Sequence, residues 1–222
     1  MKQQVRIIFG IYALVVMLEL LFIYFEHAHL RWFTKPLLMP LLMLGFYTAS
    51  GKRSGTLFNL ILVALFLSWA GDGLLQMKGM FIPGLVAFLL AHIFYIAYFI
   101  RSNSRKKGLL QFQPLYTIPV LLYIILFLWL LYPYLDALKI PVTVYGITIG
   151  TMLLASINMR GRINDAAASF FIIGALLFVL SDSLLAVNLF AYSNIVLSLC
   201  VMITYASAQY LIVKGALANE QE

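Results

Sequence analysis

Long apolar runs recur along the whole chain, separated by short polar or Pro/Gly breaks. Within each run the apolar residues are continuous rather than alternating. Alternation marks barrel strands, whereas about 18 or more consecutive apolar residues can cross a ~30 Å hydrocarbon core as a helix. The pattern predicts eight helices, over residues 5–25, 34–50, 55–76, 82–101, 114–132, 139–158, 166–188 and 193–213. The second is the shortest. Thr34-Lys35-Pro36 suits its start, because Thr can cap and Pro fits a first turn, and Pro40 is placed to bend it. Lys2 and Arg6 precede the first run in the manner of a signal peptide. That run reaches Phe25, however, longer than a signal core, with no small-residue cleavage pattern after it, so it reads as a membrane helix. The expected fold class is an all-α integral membrane protein, with residues 1–222 forming one eight-helix domain.

Composition excludes the other classes. Of 222 residues, 64% are hydrophobic and 10% charged, with mean hydropathy +0.99. A soluble domain carries roughly 25% charged residues. This is not a soluble domain, a disordered chain or a nucleic-acid module. The net charge of +7 reports topology rather than an anionic partner, because Lys and Arg collect on the cytoplasmic side. With the N-terminus inside, the inside segments hold Lys2, Arg6, Lys52, Arg53, Arg101, Arg105, Lys106, Lys107, Arg160, Arg162 and Lys214, and the outside segments hold Arg31, Lys35, Lys78 and Lys139. Both termini are therefore expected in the cytoplasm. The lone Cys200 excludes an internal disulfide and a cysteine metal cluster.

A faint repeat runs through the chain. Ser68-Trp69-Ala70-Gly71-Asp72-Gly73-Leu74-Leu75 and Leu180-Ser181-Asp182-Ser183-Leu184-Leu185 share Asp-small-Leu-Leu, half the chain apart. Four helices per half would make this a parallel 4+4 repeat.

Acidic residues in such helices need a reason. By the predicted ends, Asp72 lies ~6 Å and Asp182 and Glu19 each ~9 Å inside the outer face, and Lys35 starts the second helix on the same side. A buried carboxylate costs several kcal/mol unless paired, hydrated or protonated. Carboxyls on three helices are therefore expected to converge on one polar cavity. Lys35 could be a plain packing ion pair, but one lysine cannot neutralise all three. A proton donor beside a carboxylate is the arrangement that acid–base chemistry uses.

Other polar residues could line the same space. Ser68, Asp72 and Gln76 form an i, i+4, i+8 stripe, and Tyr145 lies at similar depth. His92 and Tyr95, and Tyr205 and Gln209, fall deeper. For these four, hydrogen bonding between helices is the competing explanation. His27, His29, Asp136 and Asp165 read as solvated loop residues. Arg101, Arg105, Lys106 and Lys107 read as a topology anchor. There is no P-loop, no G-x-S-x-G, no H-E-x-x-H and no Cys/His ligand set, so no metal and no cofactor are expected.

The blocks Thr34-Lys35-Pro36-Leu37-Leu38-Met39-Pro40, Ser68 to Leu75, Ala91-His92-Ile93-Phe94-Tyr95, Leu180 to Leu185 and Ala208-Gln209-Tyr210 together resemble the YhhN family, the lysoplasmalogenases of bacteria and animals. The resemblance spans nearly the whole chain, in order. It implies an eight-helix membrane hydrolase that cleaves the vinyl ether of lysoplasmalogens to a fatty aldehyde and glycerophosphoethanolamine or glycerophosphocholine. It also implies Asp72 and Asp182 as the catalytic pair and assigns the Lys-Pro lysine to Lys35. Glu19, Ser68, His92, Tyr95, Tyr145, Tyr205 and Gln209 join Lys35 as candidate substrate-binding residues. The expected partners are a lysophospholipid and the bilayer, with no nucleic acid and no obligate protein. The expected location is a bacterial inner membrane.

The chemistry of the residues agrees. A vinyl ether hydrolyses by protonation on carbon, giving an oxocarbenium ion that water captures. A carboxylic acid and a carboxylate suffice, much as in glycosidases. Lys35 could hold the substrate phosphate as a point charge. The alternative from a different class is a proton-coupled carrier of a small or lipid-like solute, since intramembrane carboxylates and repeated halves recur in transporters. A lipid-sensing scaffold without turnover is a third.

Overall fold

The computed structural model describes residues 2–51, 54–103 and 105–219. Lys52 and Arg53 of the inside charge count lie outside the described residues. The regular structure is all helical: α1 (Lys2–Tyr24), α2 (Ala28–Ala49), α3 (Thr56–Gln76), α4 (Phe81–Arg101), a single turn α5 (Leu109–Phe112), α6 (Thr117–Leu131), α7 (Lys139–Ile157), α8 (Asp165–Ala186) and α9 (Ile195–Asn219). A 3₁₀ turn over Pro114–Tyr116 leads into α6, and a wider π turn over Val187–Ala191 extends α8.

Seven of these segments are long and apolar enough to cross a membrane. The eighth expected span, α2, is long enough but carries Arg31 and Lys35 among its 22 residues. Its start also differs from expectation. α2 begins at Ala28, not Thr34, so Lys35 sits well inside the helix and Pro36 is not in the first turn. Thr34 does not cap. Its hydroxyl donates instead to the Glu19 carboxylate of α1. The turn between α1 and α2 is tight, with Glu26 in the left-handed region at φ 58°.

Two prolines inside one helix leave carbonyls without their usual donors. Pro40 has no N–H for the carbonyl of Pro36, and the Trp69 indole of α3 supplies the missing hydrogen at 2.9 Å. In a hydrocarbon environment such a replacement is required, because lipid offers no donor.

The helices pack as antiparallel pairs, α1 with α2, α3 with α4 and α8 with α9, while α7 bridges α4 and α8. α6 lies at the edge and exposes Leu122, Ile125 and Trp129. Glycines set the closest approaches. A Cβ on Gly71 would sit 2.6 Å from the Phe88 ring, and one on Gly174 would sit 3.1 Å from the Ala208 carbonyl. The first contact draws α3 onto α4 and the second draws α8 onto α9.

The bundle has two unlike ends. At one, the Arg162 guanidinium donates to the carbonyls of Ile100 (2.6 Å), Ser102 and Asn103 (3.4 Å). Asn219 at the end of α9 donates to Tyr98 (3.1 Å) and Ser102 (2.9 Å). This end gathers Arg101, Arg105, Lys106, Lys107 and Arg160. The other end is formed by the last turns of α1, α3 and α8 and the first turns of α2, α4, α7 and α9, and it holds a cavity.

Candidate active site

The cavity is about 400 Å³ and is lined by α2, α3, α4, α7, α8, α9 and the π turn. Its wall is mainly apolar, with Leu75, Leu85, Phe88, Val142, Leu185 and Met202. Four ionisable or phenolic groups predicted for the site, Asp72, Asp182, Tyr145 and Tyr205, reach it together with Lys35.

The two carboxyls differ in their surroundings. Asp72 is 2% exposed. Its Oδ1 lies 3.3 Å from Lys35 Nζ, and its Oδ2 accepts from the Tyr205 hydroxyl at 2.6 Å. Asp182 is half-buried. Its Oδ2 accepts from the Tyr145 hydroxyl. Among the described residues it has no cation within ion-pair distance, and its Oδ1 has no hydrogen-bond partner. A stack of ring edges links the two carboxyl–phenol pairs. Tyr145 meets His92 at 5.3 Å, His92 meets Phe178 at 4.7 Å, and Phe178 meets Tyr205 at 5.6 Å. The spacing of the pairs is thus set by a rigid aromatic layer rather than by loops.

His92 is fully buried in that layer, away from the cavity wall, and neither ring nitrogen has a partner among the described residues. Ser68, Tyr95 and Gln209 also lie behind the wall. They form one buried chain, with Tyr95 donating to Gln209 at 2.6 Å and Gln209 donating to Ser68 at 3.0 Å. Ser68 is one helical turn from Asp72, so this chain stiffens the helix that carries the carboxyl.

The expectation that three carboxyls share the cavity needs correction. Glu19 is fully buried but does not line it. Its carboxylate accepts from Arg31 Nε at 2.8 Å and from Thr34. The cause is the earlier start of α2, which brings Arg31 over the end of α1. The layer therefore holds two cations for three carboxyls.

Arg31 is the main residue that the sequence reading did not assign to the site. The available signal was its i, i+4 spacing to Lys35, which places both on one face of a helix. Gln76, part of the predicted stripe, lines the cavity and donates to the Arg31 carbonyl at 3.2 Å. Asn188 and Ser198 line it too, joined by a 3.0 Å hydrogen bond within and beyond the π turn. Nothing in the residue pattern marks a π turn, so these two had no legible signal. Among the described residues, no three His, Cys, Asp or Glu side chains gather as a metal-binding group.

Chemically, the site offers a carboxyl beside a lysine and a second carboxyl without a cation, in a mainly apolar pocket. Such a pair can give a proton and stabilise a developing cation on one small substrate atom group.

Comparison with known proteins agrees with the resemblance in the sequence. The chain is 34% identical over 186 residues to human "Lysoplasmalogenase TMEM86B", covering 82% of this chain and 74% of the relative. It is 32% identical over 171 residues to human "Lysoplasmalogenase TMEM86A", covering 72% and 66%. It is 30% identical over 160 residues to "Lysoplasmalogenase" of Mycobacterium bovis, covering 68% and 58%. No solved structure matches significantly. The YhhN family model matches residues 30–216, a stretch that contains every cavity-lining residue named above, and the chain belongs to the YhhN family.

Proposed function

We propose that this protein is a membrane lysoplasmalogenase in which Asp182 supplies the proton and Asp72 the negative charge. The observation that carries the assignment is the asymmetry of the pair: Lys35 lies 3.3 Å from Asp72, and no described cation lies near Asp182. Asp182 transfers its proton to the alkenyl carbon one removed from oxygen. The oxocarbenium ion that forms is stabilised by the Asp72 carboxylate. Water adds to the carbon next to oxygen and returns a proton to Asp182. The hemiacetal then breaks its carbon–oxygen bond, leaving a fatty aldehyde and the free hydroxyl of the glycerophospholipid. The balance is one vinyl ether and one water consumed, with no cofactor.

In this reading Tyr145 and Tyr205 orient the two carboxyls, and Lys35 keeps Asp72 in place. Glu19, Ser68, His92, Tyr95 and Gln209 act through the packing and hydrogen bonds of their neighbours rather than on substrate. We read the whole chain as one domain of eight spans with α2 as the most polar, organised as two parallel halves with Asp72 and Asp182 on the third and seventh long helices. Both termini face the cytoplasm of a bacterial inner membrane, and the cavity opens outward, because the basic end is the opposite one. No obligate protein partner enters the scheme. The carrier alternative is set aside, since the relatives bear an enzyme's name.

The test is aldehyde release from matched 1-alkenyl, 1-alkyl and 1-acyl lysophospholipids, with and without EDTA. Only the alkenyl lipid should react, because a saturated ether has no carbon to protonate and an ester needs a nucleophile and an oxyanion hole. Fatty acid from the acyl lipid, or activity lost to EDTA and restored by zinc, would overturn the mechanism.

A further inference from the structure

A second cavity of about 450 Å³ adjoins the first. Ala28, Arg31 and Ser198 line both, so the two meet at Arg31. The second cavity differs in character. It adds Glu26, Ser193 and Asn194, and its ionic groups are one acid and one arginine.

Each charged group is set up for a ligand. Arg31 uses Nε on Glu19 and its backbone carbonyl on Gln76. Its two terminal nitrogens make no hydrogen bond among the described residues, and its side chain is 32% exposed. A guanidinium anchored on one edge presents a pre-oriented fork, the geometry that suits a phosphate. Glu26 is exposed and has no cation within ion-pair distance among the described residues. It is held at φ 58° by the turn between α1 and α2. A left-handed glutamate is uncommon, and such backbone is concentrated at functional positions.

Spacing relates the two cavities to one substrate. Arg31 and Lys35 are four residues apart on α2, a rise of ~6 Å, and Lys35 touches Asp72. A phosphate at Arg31 therefore lies about one helical turn from the lysine that pairs with Asp72. That is the scale of the three-carbon glycerol between the ether oxygen and the phosphate.

We propose that the second cavity is the headgroup subsite, with Arg31 gripping the phosphodiester and Glu26 the ammonium group beyond it, so that zwitterionic headgroups are preferred to anionic ones. The subsite rests on the lysoplasmalogenase reading for its substrate. Its selectivity is a property of Glu26 alone, since Arg31 serves either headgroup.

The experiment compares 1-alkenyl lysophospholipids bearing ethanolamine or glycerol on the phosphate. The wild-type protein should favour ethanolamine by about two- to fivefold in kcat/KM, the scale of one exposed ion pair, with the difference in KM. Glu26→Lys should abolish or invert the preference, and Glu26→Gln should fall between. Arg31→Lys, which keeps a charge for Glu19 but loses the fork, should raise KM for both lipids alike. An unchanged preference in Glu26→Lys overturns the subsite. If the wild type releases no aldehyde from either lipid, the enzymatic reading fails on its own. The subsite is then read by titrating glycerophosphoethanolamine against glycerophosphoglycerol. A preference that Glu26→Lys removes supports the subsite, and equal binding overturns it.

Discussion

Replacing Lys35 by Met should destabilise the bundle by about 3 kcal/mol, and adding Asp72→Asn should restore most of the loss. Lys35 Nζ and Asp72 Oδ1 are 3.3 Å apart, with side chains 16% and 3% exposed. At that separation an effective dielectric near 20 gives ~5 kcal/mol of attraction. Removing one partner of a buried pair typically costs about 3–5 kcal/mol, because the other charge stays behind uncompensated. The lower figure applies here, since Asp72 lines a cavity that can admit water. Arg31 pairs through Nε with Glu19 at 2.8 Å and makes no ion pair with Asp72. In the double variant the charge is gone from both sides, and Asn can still accept the Tyr205 hydroxyl. The coupling between the two changes should therefore be ~2 kcal/mol or more. Unfolding of the detergent-solubilised protein, followed by tryptophan fluorescence in all four proteins of the cycle, measures it. A Lys35→Met cost below ~0.5 kcal/mol, or single effects that add to within ~0.5 kcal/mol, would refute a structural ion pair at this site.

Asp182→Asn should lower kcat by roughly 10²–10⁴-fold, the usual contribution of a general acid, and wild-type-like turnover would make the carboxyl-pair mechanism untenable. Trp69→Phe should cost about 1–3 kcal/mol in the same unfolding assay, because it strands the Pro36 carbonyl in an environment without another donor. On a Cys200→Ser background, a cysteine at position 78 should be labelled by an impermeant reagent from outside and one at position 106 should not. The reverse pattern would show that the charge bias has been misread.

The helical plan was legible because a membrane span has few ways to be written. Each must be about 20 apolar residues long and end where Lys, Arg, Gly or Pro cluster. α2 was legible only from Thr34 onward. The turn from Ala28 to Phe33 contains Arg31 and His29 and reads as loop. It is helical because Glu19 and Gln76, distant in sequence, take its charge and its carbonyl. Local pattern cannot report a partner on another helix. The same limit hid Asn188 and Ser198, whose roles depend on a π turn closed by side chains. His92 shows the converse. Its residue type suggested contact with a ligand, yet the structure surrounds it with Tyr145 and Phe178.

The carboxyls illustrate what the cost of burying charge can and cannot decide. That cost alone identifies Asp72, Asp182 and Glu19, from their positions in apolar runs, as needing partners. It does not say which will lack one. Counting Lys35 as the sole nearby cation leaves the three acids equivalent. Moving the start of α2 back to Ala28 adds Arg31 to the layer, and Arg31 goes to Glu19 because the two share the corner between α1 and α2. Lys35, one turn further on, then reaches Asp72 across the α2–α3 contact. Asp182 stands on α8, pairs with neither cation, and accepts from the Tyr145 phenol. The asymmetry that the proposed reaction uses is thus a consequence of where one helix begins.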